Sequence, residues 1–136
     1  MNFRKFVTKQ GTIILAGKNA ENNEELIKQV KDSEEVFHTE HPGSPFVNIK
    51  GKPKRGDIKA AAIFCARYSK DWKKNKEDIF VHRFKGKDIY KSKGMKRGTF
   101  GVKKFKKMVV KRADIKKCGL RESNPHPNLG KVVSCH

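Results

Sequence analysis

Residues 57–73 constrain the fold most. Ile58, Ala61, Ala62 and Cys65, with Tyr68 or Ser69 a turn further on, recur at the i, i+3, i+4 spacing that places them on one face of a helix. Asp57 stands where an N-cap is needed, and the sequence predicts a helix from there to about Lys73. Ala60, Ala61 and Ala62 are small enough for the backbone to lie close on a sheet. Short β-prone runs flank this segment on both sides. A helix laid on strands is therefore the architecture to expect.

The strands read as follows. Phe3 to Thr8 alternates apolar and polar residues, and Thr12 to Ala16 is β-branched; Lys9-Gln10-Gly11 turns between them, so the pair reads as a hairpin. Asn19 can cap a helix with Glu21, Glu24 and Glu25 in its first turns, ending near Lys31-Asp32. Glu35 to Thr39 and Phe46 to Ile49 are strands around the rigid turn Pro42-Gly43-Ser44-Pro45. Asp78 to Arg83 and Lys87 to Ser92 are two more. Thr99 to Val102 and Lys107 to Lys111 are short candidates, read as a hairpin, with Val109-Val110 as a core pair. The expected class is α/β in the broad sense (α+β), a mostly antiparallel twisted sheet of about six strands packed with two helices. Residues 1–115 form the domain. From Lys116 the periodicity stops, and residues 116–136 read as a flexible basic C-terminal tail.

Charge decides the class of partner. The chain of 136 residues carries a net charge of +19. Residues 1–50 hold seven Lys and Arg against seven Asp and Glu, whereas residues 51–136 hold twenty-six against seven. So lopsided an excess repels itself unless a polyanion shares the surface. A membrane-surface helix would set Trp, Phe or Leu opposite its lysines, but the most basic segments here read as strands and turns, so no membrane partner is expected. The first ten residues lack the apolar core of a signal peptide, and no run approaches a membrane span. Three cysteines make no secreted disulfide framework, and a cytoplasmic protein is expected.

The densest cationic stretch is Ile79 to Gly98, where only Asp88 opposes Arg83, Lys85, Lys87, Lys91, Lys93, Lys96 and Arg97. If the run is extended, Lys87, Lys91 and Lys93 share one face and continue into a basic turn at Gly94 to Gly98. Such a row matches phosphates spaced along a nucleic-acid backbone. The plain alternative is a charged edge strand that blocks aggregation. Tyr90 stacks on a base if exposed and packs in the core if not.

Enzymatic chemistry has thin support. His38, Ser44 and Lys70 could be set around one turn as a nucleophile with its base, but no carboxylate is placed to orient the base, and no nucleophile elbow or phosphate cradle is present. Cys118, His126, Cys135 and His136 match no tight knuckle spacing, so no metal site is expected, and nothing calls for a cofactor. Cys65 reads as a small buried apolar residue.

These pieces together resemble a known family. Gly17-Lys18-Asn19 with Asn23, Phe37-His38-Thr39, Pro42-Gly43-Ser44, Ala60-Ala61, Tyr68-Ser69-Lys70, and Lys91 with Lys93 to Gly98 stand in the order and spacing of the NFACT-R domain over residues 3–112. No single piece is specific; the ordered set is. Pro45-Phe46-Val47 and His82-Arg83 depart from the family pattern. The other segments of full-length NFACT proteins do not fit into 136 residues, so a stand-alone NFACT-R protein is expected. The resemblance implies an α/β domain that binds RNA, tRNA or ribosomal RNA, in translation, ribosome-associated quality control or tRNA modification. The ribosome, a ribosomal protein or an RNA-modifying enzyme would be its further partners. Duplex DNA or another polyanion would satisfy the same charge.

Within an RNA-binding reading, Lys87, Lys91, Lys93, Lys96 and Arg97 are expected on phosphates. Arg67 and Lys70 extend the patch from the helix end, Arg83 and His82 stand at the exit of a strand, and His38 and Ser44 lie at a turn that RNA touches. Lysine outnumbers arginine, which favours backbone contact over planar base reading.

Overall fold

A computed structural model describes residues 2–117. Six strands form one antiparallel sheet: β1 (Arg4–Val7), β2 (Ile13–Ala16), β3 (Glu35–Thr39), β4 (Val47–Ile49), β5 (Ile79–Lys85) and β8 (Lys106–Val110). Their order across the sheet is β1-β2-β4-β3-β5-β8. Two further strands, β6 (Ile89–Tyr90) and β7 (Gly101–Val102), pair only with each other. Four helices complete the described chain: α1 (Ala20–Lys28), α2 (Asp57–Arg67), α3 (Lys70–Asn75) and α4 (Arg112–Lys117). The α+β, mostly antiparallel fold expected from the sequence is present.

The period-2 pattern of the strands divides the sheet into two faces. Phe37, Ile79, Val81 and Val110 point to α2, whose residues from Ala60 to Ala66 are all buried. Phe6 stacks on Phe64 at 4.1 Å across that layer. On the other face Val36, Phe46 and Phe84 meet Leu26 of α1, with Ile89, Phe100 and Val102 packed alongside. The β6–β7 ribbon is thus a lid over part of the second face.

Four expectations are corrected. The helix from Asp57 does not reach Lys73. Ser69 adopts an extended conformation, accepts the Trp72 amide at 3.1 Å and donates to the Ala66 carbonyl at 2.6 Å, ending α2 and capping α3. Gly56 holds the cap position of α2, while Asp57 accepts the Lys54 amide at 2.7 Å. The run Lys87 to Ser92 is not one strand. Gly86–Asp88 is a 3-10 turn, anchored by Gly86 and Lys87 amides donating to Glu34 and Asp32 carbonyls, so Lys87, Lys91 and Lys93 do not form a row on one strand face. The last two strands are not a hairpin. Ile89 pairs with Val102, because both feed the second apolar cluster, and β8 joins β5. Val109 and Val110 therefore alternate, the first 44% exposed and the second buried.

Asn19 caps α1 as expected, accepting the Asn22 amide at 2.8 Å, though the helix stops at Lys28. No helix among the described residues is long and apolar enough to cross a membrane. Cys118, His126, Cys135 and His136 lie outside the described residues. Within those residues no His, Cys, Asp and Glu cluster could hold a metal ion. Cys65 is fully buried, and burial pushes its thiol up to about 12.

Candidate nucleic-acid interface

Along β3 and β5 the second sheet face changes character. Val36 pairs with Phe84 under the lid, and two residues along, His38 pairs with His82. Where the histidines replace apolar side chains the lid stops, and a cleft of about 770 Å³ opens. The turn Pro42 to Pro45 and the first turn of α3 form one wall. Gly17, Lys18 and Asn19, entering α1, form another with Arg97 to Phe100. Phe105 stands at the rim.

Local chemistry builds these walls. The Lys70 amide donates to the Gly43 carbonyl at 2.8 Å, tying α3 to the turn. Ser44 accepts the Thr39 amide at 3.1 Å and donates to the Pro45 carbonyl at 3.3 Å. Asn23 Oδ1 accepts the Phe46 amide at 3.2 Å, and Gly17 donates to the Phe46 carbonyl at 3.1 Å, fixing α1 against β4. Gly17 lies so close to Asn23 Oδ1 that a side chain there would collide with it.

The cleft is cationic. Arg4, Lys18, Lys70, Lys73 and Arg97 line it, and the sole acid among its described lining is Glu40. That acid is occupied: Lys107 lies 2.9 Å from it and His82 3.3 Å. The Lys107 and His82 bonds hold the Glu40 carboxyl below the usual range. His38 is different. Its Nδ1–H donates to the Thr39 carbonyl at 2.9 Å, its ring lies 4.3 Å from Phe46, and burial, aided by His82, pulls it down to about 4. His38 is thus a neutral wall of the cleft at physiological pH. Phe105, 50% exposed, stacks on His82 with centroids 4.0 Å apart.

The residues expected from sequence divide into groups. His38, Ser44, Lys70 and Arg97 line the cleft together. Lys87, Lys93 and Lys96 are exposed outside it, as is Arg67 at the end of α2. Lys91, exposed like them, is tied down, donating to Glu24 at 2.7 Å and to the Lys96 and Thr99 carbonyls at 2.6 and 2.7 Å, its ammonium 4.6 Å above the Phe100 ring. Arg83 points to the α2 face, forked onto Glu35 at 2.9 and 3.2 Å, with Lys85 on the same carboxylate at 2.8 Å. Burial raises the Glu35 pKa, but these bonds outweigh it and hold the carboxyl low. Tyr90 is 41% exposed, and its ring crosses Gly101 on the paired strand.

Sequence reasoning did not include Arg4, Lys18, Lys73 or Phe105 in the site. Lys18 lay in the Gly17-Lys18-Asn19 step, read as the end of a strand. The signal for Phe105 was an aromatic enclosed in the lysine run Lys103 to Lys107.

The family model described as NFACT protein RNA binding domain matches residues 2–104. Over 107 residues the chain is 32% identical to the archaeal Rqc2 homologue aRqcH of Methanocaldococcus jannaschii, covering 73% of this chain and 16% of that protein. The solved C-terminal part of the fibronectin/fibrinogen-binding protein from Streptococcus suis superposes with a TM-score of 0.74 at 27% identity, covering 82% of this chain and 45% of that one. The chain thus spans less than half the length of either.

Proposed function

This chain belongs to the NFACT RNA-binding domain family, and on that premise we propose that it is a non-catalytic module that grips structured RNA mainly by its phosphates. The RNA is tRNA or ribosomal RNA, and the setting is cytoplasmic: translation, ribosome-associated quality control or tRNA modification. The ribosome, a ribosomal protein or an RNA-modifying enzyme is the partner in that work. Residues 1–115 are the gripping unit and 116–136 a basic appendage.

The cleft carries this reading. Five cations line it, and the one acid among its described lining is already paired with Lys107 and hydrogen-bonded to His82. Lys70, Lys73, Arg97 and Lys18 take phosphates there, and Lys87, Lys93, Lys96 and Arg67 extend the field over the surrounding surface. Lys91 and Arg83 serve instead as internal ties. The Ser44 hydroxyl is engaged by backbone on both sides, which supports a positioning rather than a nucleophilic role.

The test is tRNA affinity measured across a salt series. Replacing Lys70, Lys73 and Arg97 by Gln lowers the slope of log K against log salt by roughly 0.7–0.9 for each phosphate no longer neutralised. Lys52→Gln with Lys59→Gln, outside the cleft, leaves it nearly unchanged. An unaltered slope in the triple variant sinks the reading. Equal competition by DNA of the same length makes the protein a general polyanion binder.

A further inference from the structure

Phe80, Phe105 and Val109 are exposed by 42%, 50% and 44% on one side of the sheet. Phe80 and Val109 are direct partners in the β5–β8 register, and the next pair on that face is His82 with Lys107. Phe105, just before β8, stacks on His82 with an interplanar angle of 18°. The Lys107 ammonium sits 4.3 Å from the Phe80 ring centroid. An aromatic row thus runs along the open face from Phe80 through His82 to Phe105. His82 and Phe105 also line the cationic cleft, so row and cleft are continuous.

Leaving two phenylalanines in water on an open sheet costs solvation and invites aggregation, so an occupant is called for. A partner protein's apolar surface is one choice. The charge around the row favours another: Lys103, Lys104, Lys106 and Lys107 flank Phe105 in the chain, and all are exposed. Aromatic faces among cations suit bases joined by phosphates. A duplex cannot use them, because its bases are already stacked on each other; only unpaired bases can be splayed onto a protein ring.

Building on the RNA-binding reading, we propose that the RNA this domain takes carries an unpaired stretch, a loop or a single-stranded end, whose bases stack on Phe105 and Phe80 while its phosphates enter the cleft. Lys107, whose ammonium lies over the Phe80 ring and 2.9 Å from Glu40, swings off that ring as the base arrives and pairs with the intervening phosphate. The row selects RNA by the absence of pairing and not by sequence, since every base offers a π-face.

The test uses the full chain and three labelled RNAs of equal nucleotide count at one salt concentration: an unstructured single strand, a blunt duplex and a hairpin with a large loop. The single strand and hairpin should bind tighter than the duplex. Phe105→Ala and Phe80→Ala should each weaken binding of those two by roughly fivefold or more, leaving duplex affinity unchanged. Phe105→Leu, which keeps apolar bulk without a π-face, should behave like Phe105→Ala. Equal binding of duplex and single strand overturns the inference while leaving the RNA-binding reading intact. So does full affinity in Phe105→Leu, which would make the row an apolar docking surface for protein. Failure to bind any of the three overturns the RNA-binding reading itself.

Discussion

The Lys91 ammonium lies 2.7 Å from Glu24 Oε2, and the same oxygen accepts the Gly98 amide at 2.6 Å. One carboxylate on α1 thus holds both ends of the basic segment 91–98. The Lys91 bond is also the main reason the Glu24 carboxyl stays below its ordinary range. Lys91→Ala should cost on the order of 1 kcal/mol, since charged hydrogen bonds are removed from a partly exposed site. It should also release the Gly98 amide to faster hydrogen exchange. Lys96→Ala, by contrast, should leave exchange and stability nearly unaltered. Equal exchange at Gly98 in the two variants would refute the assignment.

Glu40 is an anion of the cleft wall, paired with Lys107 at 2.9 Å and hydrogen-bonded to His82. Glu40→Gln should free Lys107 for RNA and tighten tRNA binding roughly threefold at low salt, the gain shrinking as salt is added. Anisotropy titrations at two salt concentrations measure it. Weaker binding in this variant would mean that Lys107 needs Glu40 for its placement.

His38 makes stability depend on pH. In the fold it takes a proton only near pH 4, and its ordinary value is 6.5. Between these values the unfolded chain binds more protons, so stability falls as pH drops through that window. The full loss is up to about 3 kcal/mol, developed near pH 4. The lowered carboxyls Glu24, Glu34 and Glu35 add a loss in the same direction below their ordinary 4.5. Thermal melts at pH 7, 6 and 5 should show a decline that His38→Gln flattens. A slope identical in the variant would assign the effect elsewhere.

Two glycines hold the cleft wall. A side chain at Gly17 would collide with Asn23 Oδ1, the acceptor of the Phe46 amide. Gly98 has φ +81 and faces the Ala20 backbone, whose Cα an added Cβ would approach to 2.7 Å. Gly17→Ala should destabilise by about 2 kcal/mol, which for a chain of this size lowers Tm by roughly 5–10 °C. A Tm within a degree of the parent would show that the wall yields.

The Arg83–Glu35 fork is structural. Arg83→Ala should leave tRNA affinity within about twofold, because the side chain faces away from the cleft. Glu35→Ala should cost about 2 kcal/mol, since it strands two cations around a buried position. Melts and binding curves on the two variants separate the roles. A tenfold affinity loss in Arg83→Ala would restore it to the interface.

How legible the molecule was depended on whether local pattern decided the outcome. Glu35 to Thr39 was read to the residue, because β-branched and aromatic side chains alternate there between two apolar layers. Asn19 announced its helix for the same local reason. Ser69 was missed because a helix-compatible apolar stripe continues past it; a serine that caps the next helix looks like an exposed serine until the chain turns. The pairing of β6 with β7 rests on an apolar cluster that includes Leu26 and Val36, far back in the chain, so no local signal could assign it. At the site, charge singled out a segment of whose lysines and arginines only Arg97 lines the cleft, and it could not separate unengaged cations from those, like Lys91 and Arg83, whose partners lie 67 and 48 residues away.

The sheet opens with β1 at one edge and closes with β8 at the other. Five inter-strand spacings of about 4.8 Å separate those edges by roughly 24 Å. The first and last strands are therefore held apart by the breadth of the sheet, and after β8 the chain turns back as α4, whose Ile115 is buried in the core beside α2. A short helix thus clasps the last edge strand to the α2 layer, so the chain leaves the sheet on the α2 side and not along its edge.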